Sequence, residues 1–282
     1  MIQVIPTVSL APWEPAEEVP FPLQGIGSLV HAKTAGCKLV DIFPENAGSF
    51  TGELDDALGE NGLSINAIGT GAGGRFGGIP TLTDPDAGNR SKARDFIISL
   101  IKVAEAKHAN YVIIGSLQGS NGTRNKAEVR GMLHKELKTI GQEADESGVT
   151  VLFEPLNSHE SKLFAPVRDR NFFGPVVEFI DGLPATEILL DVYHLMREGM
   201  SPETTPANVR VCEDKIGLVH WASQHRFLPG NMEYAGSALS IIATVLKAIG
   251  YDKCISFESY PGENPGPDFI EAKRHLDAIL ES

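Results

Sequence analysis

The chain has 282 residues, 24 Lys and Arg against 37 Asp and Glu, a net charge of −13 and 42% hydrophobic residues. That balance works against a basic face able to neutralise nucleic-acid phosphates or dock on an anionic membrane, and the length admits either two ordinary domains or one large α/β barrel. Cys37, Cys212 and Cys254 are scattered and show no CxxC or Cys/His spacing, so a reducing compartment is expected rather than a disulfide framework. The N-terminus lacks a basic region followed by a signal core, and no apolar run approaches the roughly 20 residues that span a bilayer. A soluble cytoplasmic protein is expected.

Strand-like and helix-like segments alternate along the chain. A strand at Gln3–Val8 is followed by a helix at Ser28–Ala35, and a strand at Lys38–Phe43 by a helix at Leu54–Glu60 ending before Asn61-Gly62. The strand Ser64–Gly69 precedes a long helix at Pro85–Ala109, with Thr83 or Asp84 as N-cap and Pro85 at the first helical position. Tyr111–Gly115 leads to a helix at Lys126–Ser147 that stops at Gly148. The remaining strands are Val149–Glu154, Glu187–Asp191, Ile216–His220 and Cys254–Glu258, with helices at Pro175–Ile180, Pro206–Glu213, Ser237–Ile249 and Asp268–Leu280. Most strands are short and rich in Val, Ile and Leu, as strands buried on both faces should be. Gly182 and Gly250 stand where helix C-caps belong.

Eight strand–helix units without a linker or compositional break predict an α/β fold, a single (β/α)8 TIM barrel spanning residues 1–282 with its site at the C-terminal strand ends. A doubly wound sheet shows the same alternation. The strand ends favour the barrel. Strands five to eight finish in Glu154, Asp191, His220 and Glu258, and a buried strand gains nothing from such endings. On one ring they would form a site for a hard divalent cation, which prefers oxygen and tolerates imidazole. Two carboxylates bound to one cation can face opposite sides of a substrate, one removing a carbon-bound proton and the other returning it, while the cation stabilises the ene-diolate between. Glu160, His194 and Arg226 follow these ligands closely, and such groups can hydrogen-bond sugar hydroxyls.

At these residues the chain resembles the xylose-isomerase-like TIM barrels, which include ketose 3-epimerases, hydroxypyruvate isomerase, inosose dehydratases and endonuclease IV. The ketose 3-epimerase pattern is present as Glu154-Pro-Leu-Asn157, Asp191-x-x-His194, His220 with Arg226 and Pro229-Gly230, then Phe257-Glu258. The resemblance implies that Glu154, Asp191, His220 and Glu258 bind one divalent cation, Mn²⁺ first and Mg²⁺ or Co²⁺ as alternatives. It makes Glu154 and Glu258 the acid/base pair, and Glu160, His194 and Arg226 the substrate-holding residues. Two stretches depart from the pattern: Asn231-Met232-Glu233-Tyr234 after Pro229-Gly230, and a basic, aromatic segment with Lys162, Arg168, Arg170, Phe172 and Phe173 after Glu160. Such loops contact substrate in these barrels, so the departures bear on which sugar is bound.

Gly69-Thr-Gly71-Ala-Gly-Gly74 formally matches GxGxxG, but a dinucleotide site needs a helix at once, and none is expected before about Pro85. The segment reads as a flexible loop over the barrel mouth, with Arg75 and Phe76 near the substrate, and Gly115–Gly122 reads the same way. Trp13 and Phe21, in a Pro-rich stretch, are candidates for an apolar wall; His159 and His225 fall in loops of the active face. The expected function is a metal-dependent sugar isomerase or epimerase with a small-molecule sugar substrate and neither nucleic acid nor membrane as partner. The alternative is a lyase on the same platform, either an inosose-type dehydratase or an enzyme cleaving C-glycosides of a 3-keto sugar. A nuclease would need further His ligands and a basic face. The absence of a phosphate cradle points to an unphosphorylated sugar, and the oligomeric state stays open.

Overall fold

The computed structural model describes residues 5–13, 19–164, 171–201, 203–230 and 235–281. Eight parallel strands form a closed ring: β1 Ile5–Ala11, β2 Leu39–Ile42, β3 Ser64–Gly69, β4 Tyr111–Ile114, β5 Thr150–Phe153, β6 Thr186–Asp191, β7 Ile216–Trp221 and β8 Cys254–Phe257. Each pairs with its neighbours in sequence, and β8 closes on β1 with Val8 opposite Phe257. A two-residue strand, Leu23–Gln24, adds to β1 outside the ring. The principal helices after the successive strands are α1 Leu29–Thr34, α2 Gly52–Asn61, α3 Gly71–Arg75 with α4 Ala87–Lys107, α5 Lys126–Glu146, α6 Gly174–Ile180, α7 Val192–Arg197 with α8 Thr205–Val211, α9 Ala235–Ala248 and α10 Pro265–Glu281. The chain is therefore a (β/α)8 TIM barrel, as its alternation predicts.

Side-chain direction along a strand alternates, and the sequence uses this period to sort two cores. Val112 and Ile114, Val151 and Phe153, Ile188 and Leu190, and Val219 and Trp221 belong to the core beneath the helices. Ile113, Leu152, Leu189, Leu218 and Cys254 form the second core inside the ring. Shifts of register occur between Val40 and Asp41 on β2 and between Ile188 and Leu189 on β6. They put an extra residue in the facing strands, Asn66 and Gly217. The Asn66 amide donates to Asp41 Oδ1 at 2.9 Å inside the barrel.

Three expectations need correction. The long helix begins at Ala87, not Pro85, because Asp86 is its N-cap and accepts from the Asn89 amide, while Thr83 donates to the Gln118 carbonyl. The segment after β3 is not a loop: a helical stretch, α3, starts at Gly71, and Gly73 and Gly74 allow it to pack on Phe96 and Leu117. The first strand continues to Ala11. Glycines cap as expected at Gly148, Gly182 and Gly250, all with positive φ.

Gly217 lies where a Cβ would stand 2.4 Å from both Leu152 Cδ2 and Glu187 Oε2. Gly217→Ala should overpack the barrel floor and destabilise by about 1–3 kcal/mol. The midpoint of urea unfolding would show it; an unchanged midpoint would mean the floor yields freely.

Candidate active site at the barrel mouth

The same two-residue period builds the site. One step beyond the last inward residue of each strand, the ring ends in Ala11, Phe43, Gly69, Gly115, Glu154, Asp191, His220 and Glu258. The first four are small or apolar and the last four are polar. Ligand atoms of Glu154, Asp191, His220 and Glu258 all lie within 4.8 Å of one another, and all four residues are buried. Asp191 also caps α7, its Oδ1 accepting from the His194 amide at 2.9 Å. That leaves Asp191 Oδ2 buried without a hydrogen-bond partner, as are His220 Nδ1 and Nε2. His220 Nδ1 lies 3.4 Å from Glu258 Oε2 and 3.8 Å from Asp191 Oδ2. Three carboxylates and an imidazole converging with orphaned polar atoms are a donor set that fits a divalent cation.

Glu154 is fixed through its backbone and by the room around it. Gln118 Nε2 donates to the Glu154 carbonyl at 2.9 Å and to the Gly115 carbonyl at 3.0 Å. A Cβ at Gly115 would stand 2.1 Å from Glu154 Oε2, so only glycine leaves the carboxylate its position.

The three residues expected to hold substrate stand beside the ligands. His194 Nδ1 accepts from the Asn157 amide at 3.2 Å, which turns Nε2 toward Glu154 Oε1, 3.3 Å away. Glu160 Oε1 accepts from Asn157 Nδ2 at 2.9 Å and from the Tyr193 hydroxyl at 3.3 Å. Arg226 donates through Nη2 to Glu258 Oε2 and lies over the Tyr193 ring at 4.9 Å. Its backbone is in the left-handed region, with φ 62°, rare for a non-glycine residue. Two bonds hold it there: its amide donates to the Ser223 carbonyl, and its carbonyl accepts from Tyr260 at 2.7 Å, across the next loop.

A cavity of about 220 Å³ opens above these groups. Glu154, Glu160, His194, Arg226 and Glu258 line it; Asp191 and His220 are not among its lining residues. Phe21, Phe43, Phe76, Ile113, Leu156 and Arg75 also line it. Phe21 and Phe43 stack with ring centroids 4.5 Å apart, and Trp13 packs edge-on against Phe76. Phe21, Arg75 and Phe76 therefore stand where the sequence suggested. Phe43, Leu156, Tyr193 and Gln118 escape that reading, although Phe43 ends a strand just as the four ligands do. Phe172 and Phe173 are core residues packed on each other, not cavity contacts. His159 and His225 are exposed and not among the lining residues. Arg168, Arg170 and residues 231–234 lie outside the described residues.

Burial pushes the Asp191 carboxyl up to about 6, with Glu154 and Glu258 adding to the shift and His194 opposing it. Burial pulls the His220 imidazole down, but Glu258, Glu154 and Asp191 outweigh it and hold it at about 9. Burial also raises Glu258, yet Arg226 and His220 hold that carboxyl well below the usual carboxylate range.

The model of the xylose isomerase-like TIM barrel family matches residues 29–279. No curated protein matches the chain in sequence. Among solved structures, D-allulose 3-epimerase from Methylomonas sp., in complex with D-allulose, superposes with a TM-score of 0.77 at 18% identity, covering 100% of this chain and 98% of that one. An L-ribulose 3-epimerase superposes with a TM-score of 0.77 at 19% identity, covering 100% and 95%. The 3-keto-D-glucoside 4-epimerase of E. coli superposes with a TM-score of 0.74 at 17% identity, covering 99% and 100%. Among the described residues no helix is long and apolar enough to cross a membrane.

Two measurements test the site. With His220 near 9, the metal-free protein carries a proton there at neutral pH, and an imidazole that ligates must lose it. Cation affinity should rise with pH by about tenfold per unit between about pH 7 and 9, with close to one proton released per cation. Titration calorimetry in buffers of different ionisation enthalpy reads both, and a flat profile would show that no imidazolium is deprotonated on binding; loss of affinity in His220→Ala then decides whether the residue ligates. Gly115→Ala should displace the Glu154 carboxylate and weaken Mn²⁺ binding by roughly tenfold or more, whereas unchanged affinity would show that Glu154 does not ligate.

Proposed function

This chain belongs to the xylose isomerase-like TIM barrel family, and we propose that it is a divalent-metal-dependent sugar isomerase or epimerase, the whole 282-residue chain working as one domain. The observation that carries this reading is the buried set Glu154, Asp191, His220 and Glu258, of which only the two glutamates line the cavity. All four would hold the cation, Mn²⁺ first and Mg²⁺ or Co²⁺ as alternatives. When bound, it supplies Lewis-acid polarisation of a substrate carbonyl and offsets charge that develops on oxygen.

The chain's residues do the rest. Glu154 and Glu258 come from β5 and β8 and approach the cavity from different sides. One takes the proton from carbon beside the carbonyl and the other returns a proton to the product. His194, with Nδ1 occupied by Asn157, presents an N–H beside Glu154 and donates to a sugar oxygen there. Arg226, braced on Glu258 and Tyr193, holds a second oxygen, and Glu160 accepts from a sugar hydroxyl at the outer end. Phe21, Phe43 and Phe76 cover the apolar face of the ring and keep water from the reacting carbon. Sugar epimerases on the same fold are in keeping with this reading.

Incubation with Mn²⁺ and a panel of ketoses and 3-keto sugars in D₂O tests the reading. Deuterium uptake at carbon without elimination is the expected result; elimination would make the chain a lyase, and no uptake with any sugar would sink both. Glu154→Gln and Glu258→Gln should each lower turnover by at least about a hundredfold. Near-normal turnover in either variant, with metal bound, would remove that residue from proton transfer.

A further inference from the structure

The cavity at the barrel mouth is not closed on the side of β4. Ser116, Leu156 and Glu160 line both it and a second, wider groove of about 670 Å³. The groove runs outward between the segment before α4 and the loop after β4, where Thr81, Asp84, Ser120, Asn121 and Thr123 line it. Its wall is held by hydrogen bonds within the loops. Arg124 Nη2 donates to the Thr83 carbonyl at 2.6 Å and to the Ser120 carbonyl at 3.1 Å. The Asn121 amide donates to the Gly122 and Arg124 carbonyls, and the Leu82 amide donates to the Leu117 carbonyl at 2.8 Å. The groove thus exists before any ligand enters it.

We propose that this groove is a subsite for a second sugar ring, so that the substrate is a disaccharide or another glycoside with a hydroxyl-rich remote part. The inference rests on the sugar-converting reading above and extends it. Three features select the occupant. Five hydroxyl side chains and the Asn121 amide stand beside the apolar Leu156 and Pro85, a mixture that suits the polar edge and C–H face of a polyol ring. Among the described residues its acidic groups are Asp84 and Glu160 and its cation is Arg124, whose Nη2 donates to backbone carbonyls, so a phosphate or carboxylate tail would meet two carboxylates there. The inner cavity, at about 220 Å³, is smaller than the roughly 300–1,000 Å³ usual for a small-molecule site, and the groove that opens from it adds about 670 Å³. The reacting ring sits over Glu154 and Glu258, the glycosidic link passes Ser116 and Glu160, and the second ring rests against Ser120 and Thr123.

Binding and turnover test this separately. Titration calorimetry on the Mn²⁺-loaded protein would compare D-fructose with isomaltulose, and methyl 3-keto-D-glucoside with 3-keto-trehalose. In at least one pair the two-ring sugar should bind about tenfold or more tightly than its one-ring partner. Ser120→Trp and Thr123→Trp, both exposed positions, fill the groove without touching the inner cavity, and either should abolish that preference. Circular dichroism would confirm that the variant used is folded. Equal binding of one-ring and two-ring sugars in both pairs, or a preference that survives a folded groove-filling variant, overturns the subsite. Deuterium exchange measured on the same sugars reports on the reaction alone. Its absence with every sugar would refute the proposed activity and leave the groove to be judged on the binding ratios.

Discussion

Three carboxylates buried within a few ångströms of one another are the constraint on which the rest of this molecule turns. Two unit charges about 4 Å apart in a partly shielded protein site repel by about 4 kcal/mol, and Glu154, Asp191 and Glu258 are closer to one another than such charges tolerate unaided. The chain answers in part. Arg226 and His220 stand against Glu258 and keep it ionised. Asp191 gives one oxygen to the first turn of α7 and is left with a raised pKa and an oxygen that no protein donor reaches. Under the proposed reading, a divalent cation is what completes this balance, and the neighbouring hydrogen bonds of Gln118, Asn157 and Tyr193 keep the surrounding groups in place for it.

Much of this was legible from one dimension. A strand alternates its faces, so a polar residue two places beyond an inward aliphatic one must point into the barrel mouth. Leu152 and Glu154, Leu189 and Asp191, and Leu218 and His220 follow that rule, and with eight strand–helix units the barrel itself was legible too. The contribution of the first four strands was not, because Ala11, Gly69 and Gly115 carry no chemistry of their own and matter through the space they leave. The same holds for α3. Its glycines suggest a mobile loop until Phe96 and Leu117 are seen against them, and propensity gives way to tertiary packing. Phe172 and Phe173 looked like substrate contacts because they follow Glu160 in sequence, yet nearness in sequence says little about which face of a segment meets the barrel.

Asp41 shows how far the site reaches into the barrel. It is fully buried on β2, with Asn66 on one oxygen and a network through Thr7 and Ser256 beside it, and Ser256 is the register partner of His220. Burial raises its carboxyl, and His220 is the largest influence in the other direction. A polar layer therefore lies under the mouth where an ordinary barrel floor would be aliphatic.

The uneven rim has a consequence for how such a chain changes over generations. Ionisable rim positions come from β5 to β8, and the small or apolar ones from β1 to β4. A substitution at Phe43, at Phe76 or around Ser120 reshapes what fits against the mouth while Gly115 and Gln118, which position Glu154, and the charge balance at Glu154, Asp191, His220 and Glu258 stay as they were. Under the proposed reading, one half of the chain can drift toward a new sugar while the other half preserves the chemistry, so specificity and reaction can be inherited almost independently.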